Sequence, residues 1–219
     1  AILDPKMTKT LPPRITASTG MDTLCHAIEA FSCLQKNPLS DAYAAQAIEL
    51  VRDYLLKAVC HGYSKEARLA MANASFLAGA AFSNSMVGVV HAIGHALGGV
   101  CHVAHGDAMT ILLPTGMLFN RKVCKKEYAK LLLYLAGPEI YVKTPEEKRA
   151  DRAIHEVLAL RNRLHRLTGI PVTLKEAGVD PASFPEVAKV ALNDGAVIVN
   201  PRQVTYDAVI RILEVCYGD

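Results

Sequence analysis

Apolar residues recur at three- and four-residue intervals along nearly the whole chain, the spacing of helices with one buried face. The pattern predicts helices over MDTLCHAIEAFSC (21–33), LSDAYAAQAIELVRDYLLKAV (39–59) and EARLAMANASFLAGAAFSN (66–84). It continues with MVGVVHAIGHALGG (86–99) and with HGDAMTILLPTGMLFN (105–120), the latter expected to bend or break at Pro114. KEYAKLLLYLAG (126–137), the charged amphipathic run PEEKRADRAIHEVLALRNRLHRLTG (145–169), FPEVAKVALNDGA (184–196) and TYDAVIRILEVCY (205–217) complete the set. Pro12 and Pro13 close an extended lead-in, and the Thr and Ser of TASTG (16–20) are expected to cap the first helix. Gly98-Gly99 is expected to terminate the fourth. AILD (1–4) reads as the tail of a strand, and no strand pattern, repeat or low-complexity linker follows it. The expected fold class is all-α.

Composition narrows the function classes. At 51% hydrophobic and 21% charged, the chain is globular rather than disordered. A net charge of +3, scattered along 219 residues, gives no basic stripe, so no nucleic-acid partner is expected. The six cysteines stand far apart without a CxxC pair, which argues against a zinc knuckle or a disulfide scaffold. Their pattern suits a reducing compartment, and a cytoplasmic location is expected. AILDPKMTKTLPP has neither an initiator Met nor a signal-peptide pattern and reads as the middle of a protein. From Leu69 to Val90 no charge occurs, which is long enough for a membrane span. Its Asn, Ser, Ala and Gly content suits instead a helix packed closely inside a protein, and no membrane partner is expected.

The chemistry concentrates in HAIGHALGGVCHVAHG (91–106), which places His91, His95, His102 and His105 within four helical turns. Asp22 and His26, four apart, share one helix face, where a carboxylate and an imidazole can chelate a cation. His91 and His95 have the same spacing. HAIGH lacks the glutamate of the HExxH zinc-protease helix, and HAIE (26–29) reverses the Glu-x-x-His of di-iron bundles. His105-Gly106-Asp107 lacks the adjacent His-Asp of a metal-dependent phosphohydrolase. One Asp with two or three His suits Fe(II) or Zn(II) acting as a Lewis acid. Spacing alone leaves open which of the four clustered histidines join Asp22 and His26.

TASTGMDTLCHAIEAF, GVVHAIGHALGGVCHVAHGDAMTILLP and ALNDGAVIVNPRQVT occur in that order, and together they resemble the iron-containing (group III) alcohol dehydrogenases over essentially the whole chain. The resemblance implies the helical half of the dehydroquinate synthase-like fold. It implies that Asp22, His26, His91 and His105 are the metal ligands. His95 would lie by the nicotinamide and substrate, serving proton relay or cofactor positioning, and His102 would have no role. The cofactors implied are Fe(II), with Zn(II) as the alternative, and NAD or NADP. A family Gly-Gly-Gly-Ser phosphate-binding turn occurs nowhere in these residues, so the N-terminal α/β nucleotide-binding domain is expected to be absent, with residues 1–11 its tail and linker and 12–219 the all-helical metal-binding catalytic domain. Expected partners are a small alcohol or its aldehyde, and a second copy of the chain in a homo-oligomer. Alone, the chain is expected to be inactive in metal-assisted hydride transfer between alcohol and NAD(P). A non-catalytic metal-binding or assembly module is the alternative reading. Thr115-Gly116, where many relatives have His after the Pro, and Ala196 depart from the family in ways that bear on the choice of alcohol.

Overall fold

Pro13 occupies the first turn of the central helix, where a missing N–H does no harm and a fixed φ helps. In the computed structural model, which describes residues 1–218, this helix α1 runs Pro13–Ser32. The TASTG segment therefore lies inside α1 and does not cap it. Its Thr16 and Thr19 hydroxyls donate back to carbonyls four residues earlier, Pro12 and Ile15, as Thr23 does to Thr19. Ahead of α1, Pro5–Thr8 form a single 3-10 turn capped by Asp4, and residues 1–4 form no strand.

The remaining helices are α2 (Pro38–Cys60), α3 (Lys65–Ser83), α4 (Val89–Cys101), α5 (His105–Asn120), α6 (Lys125–Ala136), α7 (Pro138–Lys143), α8 (Arg149–Thr168), α9 (Phe184–Leu192), α10 (Ala196–Val199) and α11 (Tyr206–Tyr217). No strand occurs among the described residues, as the all-α expectation requires. Helix α1 is the hub: α2, α3, α5, α6 and α8 all pack on it, and most of its residues are buried. Helix α4 lies between α5 and α9, and α11 closes the far side against α9 and α5. One continuous apolar core runs through these elements, with Met21, Leu24, Ile28, Ile93, Leu97 and Met109 among its buried side chains.

The uncharged 69–90 stretch is two elements, not one. Helix α3 stops at Ser83 and α4 starts at Val89, and among the described residues no helix is long and apolar enough to cross a membrane. Nor is α3 buried all round. Ala67, Ala70, Ala74, Ala78 and Ala81 form its packed face, while Leu69 and Phe76 are exposed. Two further expectations need correction. Helix α5 runs unbroken through Pro114, and α4 passes Gly98-Gly99 to end at Cys101, where His102 adopts left-handed φ +56°. Pro138–Lys143 and Ala196–Val199 are short helices without a periodic pattern long enough to predict.

Candidate metal centre

Three helices converge on one spot. Helix α1 supplies Asp22 and His26 from adjacent turns, α4 supplies His91 from its first turn, and α5 supplies His105 as its first residue. The chain can turn from α4 to α5 within three residues because His102 is left-handed there and donates its N–H to Leu97 O. Helix α5 then meets α1 so closely that a Cβ on Gly106 would lie 2.9 Å from the Ser18 carbonyl carbon and oxygen. That contact sets His105 opposite Asp22.

Asp22 Oδ1 is the common point. His105 Nε2 is 3.3 Å from it, His26 Nδ1 3.4 Å and His91 Nε2 3.6 Å. The four residues offer ligand atoms that all lie within 4.8 Å of one another. Asp22 Oδ1 and His91 Nε2 are buried and without any hydrogen-bond partner, an arrangement that is costly unless something else satisfies them. A tetrahedral ion with bonds of about 2.0–2.1 Å separates its ligands by about 3.3–3.4 Å. The spacings from Asp22 Oδ1 to His105 and His26 match that edge length and the one to His91 is slightly longer, so the donor set fits a divalent cation.

Burial grades across the centre. His91 is wholly buried, Asp22 and His26 are partly covered, and His105 faces outward. Phe82 stacks on the His26 ring at 4.6 Å and supplies an apolar wall. Burial alone would raise the Asp22 pKa, but the imidazoles of His105, His91 and His26 hold it well below the usual carboxylate range. Burial, then the charge of His91, pushes His26 down to about 4, leaving a neutral imidazole with a free lone pair. Burial also opposes a charge on His91, but Cys25, Asp22 and Glu29 outweigh it and raise that pKa.

His95, one turn after His91, faces elsewhere. Its Nδ1 donates to Asp194 Oδ2 at 2.7 Å, and its ring stacks near His105 with centroids 5.4 Å apart. It lies at the open rim, half exposed and outside the four-residue cluster. His102 is exposed and serves the turn.

Several residues around the centre were not anticipated. Glu29 is buried beneath His91 and accepts its Nδ1–H at 2.7 Å. Asp194 orients His95, while Asn200 caps α4 through Val89 N–H at 3.1 Å. An acidic residue set among the apolar positions of AIEAF on α1 was the available signal for Glu29. For Asp194 and Asn200, only their place within ALNDGAVIVNPRQVT hinted at a role.

Comparison with known proteins follows the same lines. A profile of the Fe-containing alcohol dehydrogenase family, C-terminal part, matches residues 16–217. The chain is 37% identical over 223 residues to an NADPH-dependent butanol dehydrogenase of Clostridium saccharobutylicum, covering 99% of this chain and 54% of that protein. It is 37% identical to long-chain-alcohol dehydrogenase 1 of Geobacillus thermodenitrificans, covering 97% of this chain and 52% of the relative. The crystal structure of a 1,3-propanediol oxidoreductase superposes with a TM-score of 0.90 at 36% identity, over 98% of this chain and 55% of that one. The chain therefore spans about half the length of the relatives it matches.

Proposed function

Since the chain belongs to the Fe-containing alcohol dehydrogenase family, matching its C-terminal part, we propose that it is the metal-holding half of an NAD(P)-dependent alcohol dehydrogenase. Asp22, His26, His91 and His105 hold one divalent ion, Fe(II) or Zn(II) in its place. The observation that carries this reading is the pair of buried polar atoms, Asp22 Oδ1 and His91 Nε2, left without a hydrogen bond between two further imidazoles. When bound, such a metal acts as a Lewis acid toward an alcohol or carbonyl oxygen. The chain's own residues do the rest. Asp22 stays ionised, the buried side of the centre excludes water, and the exposed His105 edge admits substrate. His95, bonded to Asp194 at the rim, would orient the nicotinamide or pass a proton outward, a role its exposed position supports. The relatives are named for butanol, long-chain alcohols and 1,3-propanediol, which supports an alcohol as the substrate class.

Asp22→Ala and His105→Ala should each abolish retention of iron or zinc, measured per folded chain by elemental analysis. His95→Ala should keep the metal. Wild-type metal content in either ligand variant overturns the assignment of that ligand, and metal loss in the His95 variant makes His95 a ligand.

A further inference from the structure

Beneath the four-residue cluster lies a buried carboxylate that the metal reading does not use. Glu29 is 5% exposed and has no cationic Lys or Arg beside it. Four donors converge on it. Oε1 accepts Val90 N–H at 2.8 Å, while Oε2 accepts Gly88 N–H at 2.9 Å, His91 N–H at 3.3 Å and His91 Nδ1–H at 2.7 Å. Helix α4 has no side-chain cap of its own, because its N-cap residue is Gly88. Glu29 supplies that cap from α1, with Asn200 taking the remaining Val89 N–H. No side chain fits at Gly88, where a Cβ would lie 2.8 Å from Asn200 Oδ1 and 3.0 Å from Glu29 Oε1.

We propose that Glu29 is the positioning residue of the metal centre, holding His91 with Nδ1–H directed inward and Nε2 directed at Asp22. One oxygen ties the ring to the first turn of its own helix, so backbone and imidazole move as a unit. Since a carboxylate only accepts, the Nδ1 position must carry the proton, and Nε2 is the nitrogen left for a cation. Cys25 Sγ, 3.8 Å from the same Nδ1, closes the other side of the pocket without competing for the proton. This inference rests on the four-residue cluster being a metal site, and its test separates the two.

The test compares Zn(II) affinity, by competition with a chromophoric chelator, for the unaltered chain, Glu29→Gln and Asn200→Ala. The glutamine has an NH2 where the site presents only donors, so Glu29→Gln should weaken Zn(II) binding about 10- to 100-fold. Asn200→Ala removes a cap from the same helix without touching His91, and its dissociation constant should stay near that of the unaltered chain. Equal affinity of Glu29→Gln and the unaltered chain overturns the proposal, and so does equal weakening in both variants. Absence of Zn(II) binding by the unaltered chain overturns the metal reading instead. Imidazole nitrogen NMR of the metal-free, unaltered chain needs no folded variant. A proton on His91 Nδ1 protected from exchange is expected, and a bare Nδ1 sinks the proposal.

Discussion

Gly106 sits where α5 begins, pressed on the backbone of α1 at Ser18. Backbone cannot give way as the end of a flexible side chain can. Gly106→Ala should therefore push α5 outward, lower stability by about 1–3 kcal/mol and weaken metal binding by displacing His105. Gly99 makes the contrasting case, being helical with open space around its Cβ position. Gly99→Ala should raise stability by up to about 1 kcal/mol and leave the centre alone. Chemical denaturation of the two variants measures both effects, and similar losses in both would contradict the packing argument. At this scale much of the cluster was legible. Asp22 and His26 follow from helical spacing, but the choice among His91, His95, His102 and His105 did not. That choice depends on which way each ring turns, and the rings of His91 and His95 are bonded to Glu29 and Asp194 from distant parts of the chain.

Among the elements, α4 is the one the centre depends on, and non-glycine residues with left-handed φ stand on either side of it, Met86 at +102° and His102 at +56°. Both are strained conformations for a side-chain-bearing residue, held by the packing around them. Glycine suits the position of His102 without that strain. His102→Gly should stabilise the fold by about 1 kcal/mol and keep full metal affinity. A fall in affinity would mean that His102 takes part in the centre. The end of α4 was misread because Gly98-Gly99 is the usual stop signal, and nothing local marks His102 as the actual turn. The start of α1 was misread for a related reason, as the Thr-rich segment looks like a cap but bonds back along the helix. Helical periodicity located the nine longer helices among the described residues to within a few residues at most ends, apart from the start of α1, because their faces are buried in a single core.

In the whole molecule, the cysteines report how closed that core is. Burial pushes the Cys124 thiol up to about 12 and Cys216 up to about 11, from an ordinary value of 9.0. Below pH of about 9 these thiols are neutral whether the chain is folded or not, and their contribution is intact. As pH rises beyond about 9, the unfolded chain releases their protons and the folded chain cannot, so stability falls toward pH of about 11. A double variant, Cys124→Ala with Cys216→Ala, should show a flatter decline in Tm over that range, and an unchanged slope would contradict it. Cys60, which is exposed, should react with a thiol reagent in the native state well before the buried cysteines. The all-helical class was legible because periodicity is local. The way the helices converge was not, because it rests on contacts such as Glu29 to α4 and Gly106 to α1 that join positions far apart in the chain.

In the proposed function α1, α4 and α5 preorganise one divalent-metal site, and a stoichiometric titration of the metal-free, folded chain with Fe(II) under anaerobic conditions tests this. Saturation at one ion per chain, lost on substituting His91 by Ala, is the predicted result. Saturable binding that survives His91→Ala, or none at all by the folded chain, would contradict the account.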